Sequence, residues 1–339
     1  MGRLKSGAKK KLTNAILVDM ATPSHLKNNP TVLITGGTGF AGSHLVEFLK
    51  TKKLKNIHVT THSGRKGFVH SFLPPENIHK VNLTSTKQTH ALIKALQPDQ
   101  IYHLASISIV GKSFQMIREI MQNNINLQIN LLEAIKKYSP KSRILNITSA
   151  DQYAPAKTKL NENSPIAPLN PYGVSKATQD MLAGIYANLG LNIIRVRPFN
   201  HIGERQKPDF AIPAFASQIV KIEKNLQENL KVGNLEAIRD FTDVKDIARA
   251  YHLLMSKGEI GETYNLGSGH GIKIADILEK LTRLSKVKIK IVQDPARMRA
   301  ADNPFVVADN SKMVALGWHP EIPIDKTLER TLNYFRKQN

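Results

Sequence analysis

The stretch TVLITGGTGFAG, residues 31–42, constrains the fold of this chain more tightly than any other. An apolar run that reads as a buried strand ends at a turn punctuated by Gly36, Gly39 and Gly42. An amphipathic segment follows at once, with Ala41, Leu45, Phe48 and Leu49 on one helical face. Glycines in this setting supply a tight turn, a close backbone approach to a pyrophosphate, and close packing of helix on strand. The helix N-terminus then offers its unpaired N–H groups and the positive end of its dipole to phosphate. Packing alone would not require all three glycines. The stretch therefore predicts a dinucleotide site formed by Gly36, Thr38, Gly39, Phe40 and Gly42.

The rest of the chain repeats the same alternation. NIHVTT reads as a second strand and IYHLAS as a third, the latter after a helical segment. NNINLQINLLEAIKKY is a helix carrying Leu127, Leu131 and Ala134, and RILNITS and NIIRVRP are further buried strands. Strands alternating with helices imply an α/β chain with a Rossmann-type doubly wound parallel sheet. After Arg197 the pattern loosens around Pro198, Pro208 and Pro213. The expected organisation is a basic extension over 1–29, a dinucleotide-binding domain over 30–197, and a smaller C-terminal α/β lobe for substrate over 198–339. Segments near 241–267 are expected to return to the first domain.

The 339 residues suffice for two such lobes. There is no cysteine, which excludes disulfides, thiolate zinc sites and a cysteine nucleophile, and fits a reducing, cytoplasmic setting. No metal is expected. No apolar run approaches the length of a membrane helix. The net charge of +21 raises nucleic acid as a partner. The basic residues are dispersed, however, and no aromatic-interleaved basic module occurs, so the charge reads as a solvated surface that favours an anionic substrate.

Two further stretches carry chemistry. A site for NAD usually places an acid after the second strand to meet the ribose 2′-hydroxyl. Here no Asp or Glu occurs between Glu47 and Glu76, and the strand runs into HSGRK, with Ser63, Arg65 and Lys66. A guanidinium pairs phosphate oxygens bidentately, so this loop favours NADP(H) over NAD(H); an exposed basic turn is the alternative. NPYGVSKATQDMLA places Tyr172 and Lys176 one helical turn apart. An ammonium there stabilises a phenolate and can hold the nicotinamide ribose, and Ser149, at the end of RILNITS, offers a second hydrogen bond to a reacting oxygen.

With these motifs the chain, from about Thr31 to its C-terminus, resembles the extended short-chain dehydrogenase/reductases that modify nucleotide sugars. Ser149, Tyr172 and Lys176 match that family's catalytic triad. The resemblance implies Asn82 and Leu83 at the adenine, with Leu104, Ala105 and Ser106 beside the nicotinamide. RPFNHIG, VGNLEAIRDFTDVKDIARAY, GETYNLGSG and DPARMRAADNP resemble the branch that reduces GDP-4-keto-6-deoxymannose, whose relatives are the GDP-mannose 4,6-dehydratases. On that resemblance Ser108, Asn200, Arg239, Arg299 and Asp302 would contact a GDP-sugar, with both arginines on its diphosphate. Asp240 and Asp243 read as orienting or capping groups, and His201 as a hydrogen-bonding histidine.

A 4,6-dehydratase needs a general base and a 4-ketoreductase does not; in the dehydratases this chain resembles, that base is usually a glutamate two residues after the triad Ser/Thr, where this chain has Asp151. The GFxG form of the glycine turn resembles the reductases, so Asp151 is expected to orient rather than to abstract a proton, with the dehydratase as the alternative. A non-catalytic nucleic-acid-binding protein on this fold is the reading of another class. Relatives carry Gly-Pro-Gly-Gln where this chain has GERQ at 203–206, and proline where it has Ala300. The resemblance also implies a homodimer through MIREIMQNNINLQINLLEAIKKY, residues 116–138, and the Tyr172 helix.

Overall fold

The computed structural model describes residues 29–338 apart from 63, 65, 66 and 299–302. Residues 1–28 of the basic extension, Ser63, Arg65 and Lys66 of the cofactor loop, and Arg299 and Asp302 of the substrate set lie outside the described residues.

The elements in chain order are β1 (Val32–Thr35), α1 (Phe40–Thr51), β2 (Ile57–Thr61), β3 (Ile78–Lys80), α2 (Thr86–Leu96), β4 (Gln100–His103), α3 (Ile117–Tyr138), β5 (Arg143–Ile147), α4 (Pro171–Asn188) and β6 (Asn192–Pro198). They continue with β7 (Asn200–Ile202), α5 (Ala211–Glu223), β8 (Asn229–Val232), β9 (Ile238–Asp243), α6 (Val244–Lys257), β10 (Thr263–Leu266), β11 (Gly271–Lys273), α7 (Ile274–Arg283), β12 (Lys290–Gln293), β13 (Phe305–Val306), α8 (Ser311–Ala315) and α9 (Ile324–Gln338).

Seven parallel strands form the main sheet in the order β3-β2-β1-β4-β5-β6-β10. Strands such as VLIT and RILNI are buried almost throughout, as helices on both faces require. On one face Leu45, Val46 and Leu49 of α1 pack with Ile247, Tyr251 and Leu254 of α6. On the other, Leu92 and Ile93 of α2 meet Leu131, Leu132 and Ile135 of α3 and Ala183 of α4. A second core joins α5, α7 and α9 over β8, through residues such as Phe215, Ile277 and Leu332. A smaller sheet has β9 at its centre, flanked by β11, β13 and β7.

Two features differ from the sequence reading. IYHLAS is the fourth strand, not the third, because β3 pairs with the edge of β2. Its Ile-His-Lys is three residues long and partly exposed, too short and polar for an apolar run to signal it. The chain also returns to the first core near its end, where Met313 and Trp318 are fully buried against α6 and β10 elements. Among the described residues no helix is long and apolar enough to cross a membrane.

Strand order reverses between β1 and β4, so the loops leaving β1 and β4 diverge and open a crevice at the carboxyl ends of the strands. The small sheet borders that crevice through Asn200, Arg239 and Val306, with Phe210 just before α5.

Candidate active site

A cleft of about 690 Å³ occupies this crevice, and every described site residue expected from the sequence lines it. On the dinucleotide side these are Gly36, Thr38, Gly39, Phe40 and Gly42 from the first turn, Asn82 and Leu83 after β3, and Leu104, Ala105 and Ser106 after β4. Ser149, Asp151, Tyr172 and Lys176 lie across from them, and Ser108, Asn200 and Arg239 complete the wall.

The first turn is made by backbone. The Gly39 N–H donates to Gly36 O at 2.9 Å, and Gly36 adopts a φ of +68°. A Cβ on Gly42 would lie 2.5 Å from Gly36 O and 2.7 Å from Gly37 Cα, so α1 can approach the turn only with glycine there. Gly39 caps α1 without a side chain, which leaves the first N–H groups of the helix facing the cleft. This bare cradle at a helix N-terminus fits a dinucleotide's pyrophosphate.

Ser149 ends the loop after β5, and its Oγ accepts the Asp151 N–H at 3.1 Å, capping the short turn Ala150–Gln152. Asn170 opens α4 by accepting the Gly173 N–H at 2.8 Å, with Pro171 in the first helical position. A Cβ on Gly173 would stand 2.3 Å from Asp151 O, so glycine lets α4 press against the Ser149 turn. That contact sets the distance between Tyr172 and Ser149.

Burial is the main force on the Tyr172 hydroxyl and pushes its pKa well up; the Asp151 charge adds to this, and a hydrogen bond with Ser149 opposes it. Tyr172 is therefore a neutral phenol. Lys176 stands over the Tyr172 ring, with Nζ 5.9 Å from the centroid. Its ammonium donates to Ile147 O at 3.2 Å and to Gln179 Oε1 at 2.9 Å, and burial lowers its pKa to about 7. His103 shares this interior: its Nδ1 bonds the Thr35 hydroxyl at 2.7 Å, and burial, with Lys176 nearby, lowers it to about 3.

On the substrate side, Arg239 is buried and its Nη1 donates to Ile238 O at 2.9 Å. Asp240 accepts from Ser268 and from the backbone N–H groups of Gly269 and Ala308, so it ties loops together. Asp243 caps α6 by accepting from Lys245 N at 2.8 Å. His201 hydrogen-bonds Phe199 O at 3.1 Å and stacks on Phe40, ring centroids 5.8 Å apart.

The structure adds residues that sequence reasoning missed. Gln206, Lys207, Phe210 and Tyr251 line the same cleft. Tyr251 comes from α6, whose return to the first lobe places it near Tyr172. Asn170 lines the cleft as well, and for it the sequence carried a signal, the Asn-Pro helix start beside the motif.

The family model for GDP-mannose 4,6 dehydratase matches residues 33–331. The chain is 35% identical to a GDP-6-deoxy-D-mannose reductase of Pseudomonas aeruginosa, over 89% of this chain and 96% of that protein. It is 29% identical to a GDP-6-deoxy-D-talose 4-dehydrogenase of Aggregatibacter actinomycetemcomitans, over 84% and 90%. The structure of the P. aeruginosa protein RMD complexed with NADPH superposes with a TM-score of 0.78 at 31% identity, covering 91% of this chain and all of that one. The chain thus belongs to the GDP-mannose 4,6 dehydratase family of extended short-chain dehydrogenase/reductases, NAD(P)-dependent enzymes of nucleotide-sugar modification.

Proposed function

We propose that this protein reduces the C4 keto group of a GDP-4-keto-6-deoxyhexose with NADPH, taking GDP-4-dehydro-6-deoxy-D-mannose to GDP-D-rhamnose or its C4 epimer. The observation that carries the reading is the grouping of Tyr172, Ser149 and Lys176 on one wall of the cleft, with Lys176 Nζ 5.9 Å from the Tyr172 ring and α4 pressed against the Ser149 turn at Gly173. Reduction of a ketone develops an alkoxide that must be protonated, and a phenol that holds its proton at neutral pH is the right donor. Similarity along nearly the whole length of a GDP-6-deoxy-D-mannose reductase supports the same reaction.

A reduced nicotinamide dinucleotide, when bound, supplies the hydride. The chain's own groups do the rest. Tyr172 gives its proton to the oxygen at C4, Ser149 hydrogen-bonds that oxygen, and the Lys176 cation steadies the phenolate left behind. The glycine turn and the start of α1 would hold the pyrophosphate, with Asn82 and Leu83 toward the adenine and Leu104, Ala105 and Ser106 beside the nicotinamide. Ser108, Asn200 and Arg239 would hold the GDP-sugar, joined by Arg299 and Asp302. Preference for NADP rests on Ser63, Arg65 and Lys66.

Asp151 supports a second reading, because its carboxylate lies close enough to raise the Tyr172 pKa and could serve as a dehydratase base. We read it as an orienting group. We also infer a cytoplasmic homodimer through α3 and α4, whose Ile129, Met181 and Ile185 are exposed apolar side chains, as is Leu189 just after α4.

The test is NADPH consumption on adding GDP-4-dehydro-6-deoxy-D-mannose to the purified full chain. The native protein should turn over, and Tyr172→Phe should lose about a thousandfold in rate. No turnover with that substrate, but a 4-keto product from GDP-mannose and NADP, would make Asp151 the base and the protein a dehydratase.

A further inference from the structure

The buried interior behind the reacting groups holds a side chain that the mechanism above does not use. Gln179 lies three residues after Lys176 on α4 and is 1% exposed. Its Nε2 donates to Asn124 O of α3 at 2.7 Å. A backbone carbonyl can only accept, so the nitrogen of this carboxamide must face Asn124 and its oxygen must face the other way. That oxygen accepts from Lys176 Nζ at 2.9 Å. The same ammonium donates to Ile147 O at 3.2 Å, so two of its three N–H bonds are taken inside the protein and the third remains for a group in the cleft.

The Asn124 end is itself fixed. Its side chain donates to Ile107 O at 3.1 Å and to Ser175 Oγ at 3.0 Å, and Ser175 Oγ in turn donates to Tyr172 O at 2.7 Å. Gln128 adds a bond to Gln179 O at 3.4 Å. The carboxamide oxygen is therefore aimed, not merely near. We propose that Gln179 is a positioning residue that holds Lys176 in place and in its charged form by accepting a hydrogen bond from the ammonium. This rests on the reading that Lys176 acts as a cation in the reduction.

The charged or titratable groups facing Lys176 are few. Tyr172 belongs to the same helix, His103 faces it from β4, and Asp151 lies beyond Tyr172 on the turn after β5. A neutral histidine and a neutral phenol give the ammonium no countercharge. The Gln179 oxygen and the Ile147 carbonyl are the dipoles left to offset the burial of a cation.

Two variants of the full chain test this. Gln179→Met keeps the volume and removes the acceptor; Gln179→Glu keeps the shape and, where its carboxyl is ionised, adds a charge, although its second oxygen then faces Asn124 O. The first should move the loss of reductase kcat/KM at rising pH to lower pH by about one unit, and the second should move it to higher pH by a similar amount. The Gln179→Met deficit, about fivefold near pH 7 and approaching tenfold above it, should shrink as the pH is lowered and Lys176 regains its proton. A purely structural defect would persist at every pH.

The Lys176 titration can also be read without turnover, from the NMR shift of 13Cε-labelled lysine, using the resonance lost in Lys176→Met. Displacement of that titration in opposite directions by the two variants supports the proposal even if the sugar substrate proves wrong. An unmoved titration in both, or movement in the same direction, overturns it. Should Gln179→Met not fold, the Gln179→Glu titration decides alone: upward supports, unmoved overturns.

Discussion

Two turns meet at α1, beside the cleft, and they are held by different means. The turn at residues 36–42 is closed mainly by backbone, through the Gly39 N–H on Gly36 O and the bare approach of α1 at Gly42, with Thr60 Oγ1 of β2 accepting the Gly36 N–H at 3.0 Å. The turn at 203–206 is fastened almost entirely by side chains. His44 Nε2 of α1 donates to Glu204 O at 2.9 Å, and the Glu204 carboxylate takes both Nε and Nη2 of Arg330 at 3.0 and 3.2 Å. Arg205 reaches Glu47 Oε2 at 2.5 Å and lies 4.6 Å from the Phe68 ring centroid. A turn that must admit a ligand's phosphates has no room for side chains. One that only has to present Gln206 and Lys207 to the cleft can be tied down from behind.

The comparison predicts that the two turns fail differently, and the largest effect belongs to the first. Gly42→Ala puts a methyl group against backbone at 2.5 Å, which no rotamer change can relieve. We expect a loss of about 3 kcal/mol of stability and at least about a hundredfold in cofactor affinity. Urea unfolding and NADPH fluorescence titration would read both. A stable variant with native cofactor affinity would show that α1 can slide, and the two turns would then not differ in kind.

The same contrast explains what the sequence made legible. Gly36 and Gly42 announce themselves because the left-handed φ at one and the close backbone at the other favour glycine, so the residue type carries the geometry. Tyr172 and Lys176 are legible because a helix brings i and i+4 together whatever surrounds it. Glu204 and Arg205 are different: their partners, Arg330 and Glu47, are 126 and 158 residues away, and nothing local marks the pairing. The sequence could register only that GERQ departs from its relatives. Gly173 was passed over for a related reason, since the neighbour that excludes a side chain, Asp151 O, comes from another loop. Trp318 escaped because its burial depends on α6 having first returned to the main sheet.

A smaller effect is expected at the charged turn. Burial works against the ionised form of Glu204, but the hydrogen bonds from Arg330 outweigh it and hold the carboxyl at about 2, below its ordinary 4.5. A carboxylate whose pKa is depressed on folding contributes stability that is complete above the unfolded value and is lost as pH falls toward the folded one. Arg330 retains Asp243 at 2.6 Å, so Glu204→Gln should cost only about 1–2 kcal/mol at pH near 7. The gap from the native protein should narrow as the pH falls below about 4.5 toward 2. Cofactor affinity should change by less than about threefold. A loss in affinity as large as that of Gly42→Ala would mean that both turns serve the same ligand.

The smallest effect, and the sharpest comparison, is at Arg205. Its φ of +74° is left-handed, a conformation glycine adopts freely and other residues reach at a cost of about 1–2 kcal/mol. Against that stand a guanidinium–carboxylate pair with a partly exposed Glu47, worth about 0.2–1 kcal/mol, and a cation–π contact with Phe68 worth about 0.5–1 kcal/mol. These terms nearly cancel. Arg205→Gly removes the strain and the contacts together and should move Tm by no more than about 3 °C. Arg205→Ala removes the contacts and keeps the strain, so it should be less stable than Arg205→Gly by about 1 kcal/mol. At Gly42 alanine is excluded by what a Cβ would touch; at 205 it is disfavoured by the backbone angle itself. If Arg205→Ala matched or exceeded Arg205→Gly in stability, the turn would be relaxing out of the left-handed region once its side-chain ties are cut. The strain would then be a consequence of those ties and not a property of the turn.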